Sequence, residues 1–216
     1  MEELARDPAS RRRFLRSVGG AGAAGSFALF LAACGKKKQT LTPGGSNPKT
    51  GAGTGTDRFG KGDLGIVTYA LTLEYIESDF YAKAVSSGKL SGRALEFAKR
   101  FGGHEAQHAQ ALEQVVTKLG GKLPDKPQTA FTFESQDAIL QDAVKFENLG
   151  ASAYLGQADR IVSKELLAAA LSIHAVEGRH AAALAVAAGL SPTPQGAFAQ
   201  PETAFNVIQS IEPNLV

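Results

Sequence analysis

Two triplets of residues in this chain have the types and spacing to hold metal: Glu74 with Glu105 and His108, and Glu147 with Glu177 and His180. In each, a lone Glu is followed about thirty residues later by Glu-x-x-His. Carboxylates bridge cations, and one imidazole per ion completes the set. A lone Glu from each of two helices and Glu-x-x-His from each of two others are the ligands of a carboxylate-bridged dinuclear centre in a four-helix bundle. Singly these elements say little, because one Glu-x-x-His is usually a solvated helical pair. Two of each at matched spacing specify a site. Oxygen and imidazole donors without thiolate favour iron or manganese, with zinc admitted by raw affinity. Four carboxylates balance two divalent ions. Without metal they would repel in a helical core, so some are expected to take up protons, and bound metal is expected to add stability.

The elements that must position these residues can be read from caps and breakers. Asp63 or a neighbour can open a helix that runs to about Ser87, and Ser91 opens a second that reaches Leu119 before Gly120-Gly121. A joint this short makes the two antiparallel neighbours. A second pair spans about Ser135 to Arg160 and Ser163 to Ala188, closed by Gly189, Pro192 and Pro194. Between the pairs, residues 120–134 include Pro124, Pro127 and Phe131-Thr132-Phe133. About fifteen extended residues reach roughly 50 Å, whereas a 26-residue helix is roughly 39 Å long, so this crossover can traverse the bundle. After Gly189 a Pro-rich tail holds a short helix from Pro201 to Ile211 that could cover one end.

Glu74 lies 13 residues before the end of the first helix and Glu105 lies 14 after the start of the second, and Glu147 and Glu177 repeat those offsets. All four glutamates therefore reach mid-bundle at one level. The i and i+3 residues of Glu-x-x-His share a face. The duplication extends to Glu105-x-x-His108-Ala109-x-Ala111-Leu112 and Glu177-x-x-His180-Ala181-x-Ala183-Leu184, and to Tyr81 and Tyr154, each seven residues after its lone Glu. Those tyrosines could donate hydrogen bonds near the metals or relay electrons, although a core ring with a satisfied hydroxyl is the simpler role. His104 and His174 have no mates and read as surface residues or supports behind the ligands. Glu77 could be an extra carboxylate, but its counterpart is Gly150. Gly102, Gly103, Gly156 and Gly178 are costly in helices and suggest close helix contact, access near the metals, or local kinks.

The N-terminus carries an address. Ser10-Arg11-Arg12-Arg13-Phe14-Leu15-Arg16 resembles the twin-arginine export signal. A weakly apolar Gly/Ala-rich segment comes next and ends Leu31-Ala32-Ala33-Cys34, which resembles a lipoprotein cleavage box with Cys34 as the lipidated residue. It is too short and too Gly-rich to span about 30 Å of hydrocarbon comfortably. Export of folded proteins with cofactor already loaded, which the resemblance implies, suits a metalloprotein. The expected organisation is a signal peptide at 1–33, a flexible tether at 34–62, a helical bundle at 63–189 and a Pro-rich tail at 190–216. Lys36, Lys37 and Lys38 beside the lipid could rest on anionic headgroups or simply aid solubility.

The formal charge of +2 comes from this leader. Taking its five Arg and three acidic residues from totals of 23 and 21 leaves 18 of each. The remainder has no long basic helix or aromatic-basic interleaving, so nucleic acid is not expected as a partner. The absence of Trp and the helical periodicity favour an all-α domain.

From about residue 63 to 188 the chain resembles the ferritin-like superfamily, specifically its small exported ferritin-like domain proteins. The resemblance rests on the six ligand positions and the crossover. It implies an all-α, ferritin-like four-helix bundle of two antiparallel hairpins joined by a long crossover. Two Glu-x-x-His motifs make the site more similar to bacterioferritin, rubrerythrin or the di-iron oxidases than to ferritins that lack the second histidine. There is no Cys-x-x-Cys module for electron supply, and Met1 is the only Met, which excludes a Met-ligated haem. The resemblance thus implies a lipid-anchored, envelope-facing di-iron protein that oxidises Fe(II) with dioxygen or peroxide as a ferroxidase-type oxidoreductase. A manganese catalase-like activity and a non-catalytic, stress-protective metal-binding role are the alternatives. Oligomers are compatible with the sequence, but a storage cage is hard to build with a lipid on every subunit.

Overall fold

The computed structural model describes residues 55–216, so the export signal, Cys34 and most of the tether lie outside the described residues. Four long helices occur in order: α1 (Gly62–Ser86), α2 (Gly92–Lys118), α3 (Gln136–Leu155) and α4 (Lys164–Ala187), with a short α5 (Ala204–Ile211) in the tail. No strands form among the described residues, only an isolated bridge between Thr129 and Leu215. None of the described helices is long and apolar enough to cross a membrane.

Local chemistry explains the ends. Ser135 and Ser163 cap α3 and α4, their hydroxyls accepting from the Ala138 and Leu166 amides at 3.1 and 3.2 Å. Gly120 and Gly189 lie just past α2 and α4 with φ of +76° and +71°, a region that glycine enters without strain. The next amides return to the carbonyls of Val116 and Ala185 at 2.9 and 2.7 Å, closing both helices in the same way.

Three boundaries differ from the sequence expectation, two of them through a contact made far along the chain. Asp63 does not cap α1, which starts one residue earlier. Its carboxylate accepts instead from the amides of Val162 and Ser163, both at 2.9 Å, and ties the start of α1 to the start of α4. The third helix stops at Leu155 rather than Arg160, because the tail crosses there. The Glu202 amide joins the Ser152 carbonyl at 3.0 Å, and a Cβ on Gly156 would lie 1.8 Å from the Glu202 carbonyl oxygen. A 3-10 turn, Ala158–Arg160, fills the remaining gap. The last residues of the expected tether are also packed: Thr56 is buried, and Phe59 lies against Tyr69 with ring centroids 5.6 Å apart.

Within each hairpin the helices pack along their length, and between hairpins α1 faces α3 while α2 faces α4. The cross-contacts fix direction. Tyr81 meets Glu147 while Tyr154 meets Glu74, so α1 and α3 are antiparallel; His108 meets Glu177 while His180 meets Glu105, so α2 and α4 are too. The crossover must then climb the whole bundle, and it does so along α1. A Cβ on Gly121 would touch Leu64, the Lys126 ammonium sits 5.0 Å from the Tyr75 ring, and Lys83 donates to the Thr129 carbonyl at 2.7 Å.

The tail does not close one end of the bundle as the sequence suggested. Ala204, Val207, Ile208 and Ile211 recur at i, i+3, i+4 and i+7, one helical face, and pack on Tyr69, Leu73, Ile76 and Ala153. That seats α5 along the α1–α3 seam. The C-terminus is stitched to the crossover by Ala130 N–H to Asn214 O at 2.9 Å and Val216 N–H to Gln128 O at 3.0 Å. Gly156→Ala should therefore push the tail off α3 and destabilise the protein by about 1–3 kcal/mol, the usual cost of overpacking. Chemical denaturation monitored by circular dichroism measures it.

Candidate metal centre

Glu74 comes from α1, Glu105 and His108 from α2, Glu147 from α3, and Glu177 and His180 from α4. The structure brings all six together. The four glutamates are at most 1% exposed and His180 3%. Glu74, Glu105, His108 and Glu177 offer ligand atoms within 4.8 Å of one another, and so do Glu105, Glu147, Glu177 and His180. Glu105 and Glu177 belong to both groups. The arrangement is thus two adjacent positions, each with a private carboxylate and imidazole, joined by two shared carboxylates.

Both histidines turn Nδ1 inward. His108 Nδ1 lies 2.8, 3.1 and 3.3 Å from oxygens of Glu105, Glu177 and Glu74, and His180 Nδ1 lies 3.0 and 3.1 Å from Glu105 and Glu147. One ring N–H cannot satisfy three carboxylates. Among the described residues, six buried side-chain polar atoms lack a hydrogen-bond partner, and four of them are Glu74 Oε2, Glu105 Oε1 and both Glu177 oxygens. An orphaned buried acceptor costs about 1–3 kcal/mol, more when charged. Cations at this position would supply what the protein withholds, so the donor set fits metal.

The electrostatics carry the same signature. Burial pushes the carboxyls of Glu105 and Glu147 well above the usual range, and neighbouring carboxylates, Glu177 first among them, push further. Burial opposes charge on His108, but the carboxylate of Glu74, with those of Glu105 and Glu177 also close to its Nδ1, outweighs that and holds the imidazole above its ordinary value. His180 goes the other way, pushed down to about 4 by burial against the pull of Glu177.

Residues around the ligands act in crossed pairs. The Tyr81 hydroxyl of α1 donates to Glu147 of α3, and the Tyr154 hydroxyl of α3 donates to Glu74 of α1. Each tyrosine shares a stripe with its own hairpin's glutamate yet holds the other hairpin's. Burial and the adjacent carboxylate raise both phenols, which keeps them protonated as donors. His104 Nδ1 lies 2.8 Å from His180 Nε2, and His180 stacks on Phe101 at 4.0 Å. His174 Nδ1 donates to the Ala151 carbonyl at 2.9 Å, away from the ligands.

Glu77 is buried, and a Cβ on Gly150 would come within 2.9 Å of its Oε1 and 3.3 Å of Glu177 Oε2. The glycine at the paired position makes the room that this extra carboxylate occupies. Gly102 permits close approach of α2 to the Tyr81 Cβ, 2.7 Å from an added methyl, whereas Gly103 and Gly178 face open space and make no such contact. The crossed tyrosine partners were missed by stripe reasoning, because spacing gives a face and not the neighbour across from it, whereas His104 takes the second of its two expected places, behind a ligand.

These shifts make the stability of the metal-free protein depend on pH. Folded carboxyls raised above about 4.5 and a raised His108 both contribute stability that is full below their unfolded values and is lost as pH rises. His180 acts oppositely, but only below about pH 6.5, where its unfolded form charges. Between about pH 6.5 and 8 the metal-free protein should therefore lose stability with rising pH, by up to about 1.4 kcal/mol per proton per pH unit. Divalent metal should abolish or reverse that slope in denaturant titrations.

Residues 62–190 match the family model described as the ferritin-like domain. No curated protein matches the chain. With the helical order, the full-length crossover and the buried Glu/His cluster already in place, a match over more than half its length makes the chain a member of the ferritin-like domain family.

Proposed function

We propose that the cluster binds two metal ions, one held by Glu74 and His108, the other by Glu147 and His180, with Glu105 and Glu177 bridging. The observation that carries this is the sharing of those two carboxylates between the two groups of convergent donors. Iron is the first candidate, because oxygen and imidazole donors without thiolate suit it, with manganese or zinc the alternatives. Bound there, the metals would supply Lewis-acid and one-electron chemistry toward dioxygen or peroxide, giving a ferroxidase-type oxidoreductase.

The chain's own residues prepare that chemistry. Tyr154 and Tyr81 pin the two private carboxylates in place. His104 can take a hydrogen bond from His180 Nε2–H, which leaves the inward Nδ1 lone pair free to coordinate. Aromatic packing around His180 excludes water from one side. His108, its side chain 14% exposed, is the most open ligand and marks the α2 side as the approach for ions.

The leader supports a location. With its twin-arginine signal and Cys34 box, the protein is proposed to be a lipoprotein of the bacterial envelope, tethered to the membrane through residues 34 to about 54. Cys34→Ala should move it from the membrane to the soluble fraction, and membrane retention of that variant would contradict the lipid anchor.

Anaerobic titration of the purified protein should show two Fe(II) per chain, oxidised on adding dioxygen or peroxide. Glu105→Ala and Glu177→Ala, each removing a bridge, should lower the oxidation rate by about 10²-fold or more, as expected when transition-state stabilisation of a few kcal/mol is lost. No metal uptake, or oxidation no faster than in those variants, would refute the proposal. Peroxide dismutation with bound manganese would replace it with a catalase-like activity, and metal retained without turnover would favour a protective, non-catalytic role.

A further inference from the structure

The two halves of the molecule repeat, and the repeat is broken at one end of the bundle. Residues of α1 map onto α3 by adding 73, as Glu74 to Glu147 and Tyr81 to Tyr154, and those of α2 map onto α4 by adding 72, as Glu105 to Glu177. Around Tyr81 the space is filled with rings. Phe80 and Phe101 lie 5.4 and 6.5 Å from it, Phe97 stacks on Phe101 at 5.1 Å, and Phe146 packs on Phe80 at 4.9 Å. The paired positions around Tyr154 are Ala153 for Phe80, Ile173 for Phe101, Ala169 for Phe97 and Leu73 for Phe146. Every ring has been replaced by a smaller aliphatic side chain.

The result is a cavity. All four small residues line it together with Tyr154 and Leu112, and its volume is about 20 Å³. A single water needs roughly 10–15 Å³ of such space, so it is large enough for a diatomic molecule. Its lining is overwhelmingly aliphatic. Tyr154 spends its hydroxyl on Glu74, and the Gln157 side-chain Oε1 accepts from Arg160 at 2.6 Å. The buried Tyr69 hydroxyl, which has no partner, is one polar atom where a water needs about two to four. Apolar cavities stay dry and take up apolar gases. No ligand lines it, but it lies beside the centre: Leu73 precedes Glu74, Leu112 is one turn past His108, and Tyr154, which lines it, bonds Glu74.

We propose that the cavity holds and delivers dioxygen to the Glu74–His108 side of the centre, separating the apolar oxidant's route from the polar approach of ions beside His108. This rests on the oxidase reading above. A void among well-packed helices costs stability, and here the sequence keeps it in one half while filling its mate.

Xenon is the probe that tests the cavity without metal or turnover. In the purified protein, xenon should shift the methyl NMR signals of Leu73 and Ile173 while leaving those of Ile139 and Leu140, in the ring-filled half, unmoved. Absence of those shifts overturns the proposal. Ala153→Phe and Ala169→Phe restore the counterpart rings, and the smaller Ala153→Leu keeps the test available if a ring prevents folding. The variants should lose the xenon shifts and still bind two Fe(II). They should oxidise it about tenfold more slowly with dioxygen, a barrier change of about 1.4 kcal/mol, yet at an unchanged rate with peroxide, which is polar and can take the path of the ions. Unchanged dioxygen rates in variants that exclude xenon overturn the route. If the wild type takes xenon but oxidises no Fe(II) with either oxidant, the dioxygen assignment falls together with the oxidase reading, and the retained xenon shifts distinguish that failure from a closed cavity.

Discussion

Four carboxylates buried at one level of a helical bundle are the constraint to which the rest of the structure answers. Carboxylates at most 1% exposed cannot all be charged without compensation, and the protein supplies only part of it. Two tyrosine hydroxyls and two imidazoles reach the cluster, and both oxygens of Glu177 remain without a hydrogen bond. Leaving a buried polar group unpaired makes sense where a cation completes it. The helices, caps and crossover are arranged so that these groups meet and stay dry.

The crossed tyrosine bonds connect that constraint to the fold. Each spans the α1–α3 seam, joining residues 66 and 80 positions apart in sequence, so metal-ligand geometry and hairpin docking are set by the same contacts. The same seam is covered by α5, whose apolar face packs on Leu73 and Ile76, the neighbours of Glu74 and Glu77. The α2–α4 side is different in kind. It carries both ligand histidines and His104, and His108 is the only ligand with appreciable exposure. One flank of the centre is sealed by chain and the other is left for solutes.

Much of this was legible in the letters, because the residues that bear the chemistry also report the geometry. The offsets expected for Glu74, Glu105, Glu147 and Glu177 bring four carboxylates together if the helices pair as hairpins, and the carboxylates do meet. They do so although α3 ends at Leu155 and the 3-10 turn Ala158–Arg160 makes up part of the stretch between Glu147 and its joint. What escaped was everything decided across the chain rather than along it. The end of α3 depends on the carbonyl of Glu202, the use of Asp63 on the amides of α4, and the placement of α5 on a seam that exists only once both hairpins have docked. The pairing of Phe80 with Ala153 was also present in the sequence, but its meaning depends on knowing that both face the core beside equivalent tyrosines.

The central claim is a dinuclear centre bridged by Glu105 and Glu177. Its most direct test is anomalous X-ray scattering at the iron edge from crystals grown with Fe(II) under anaerobic conditions. The account predicts two peaks about 3.5–4 Å apart, one beside Glu74 and His108, the other beside Glu147 and His180, with Glu105 and Glu177 spanning both. A single peak, or none within the cluster, would contradict it.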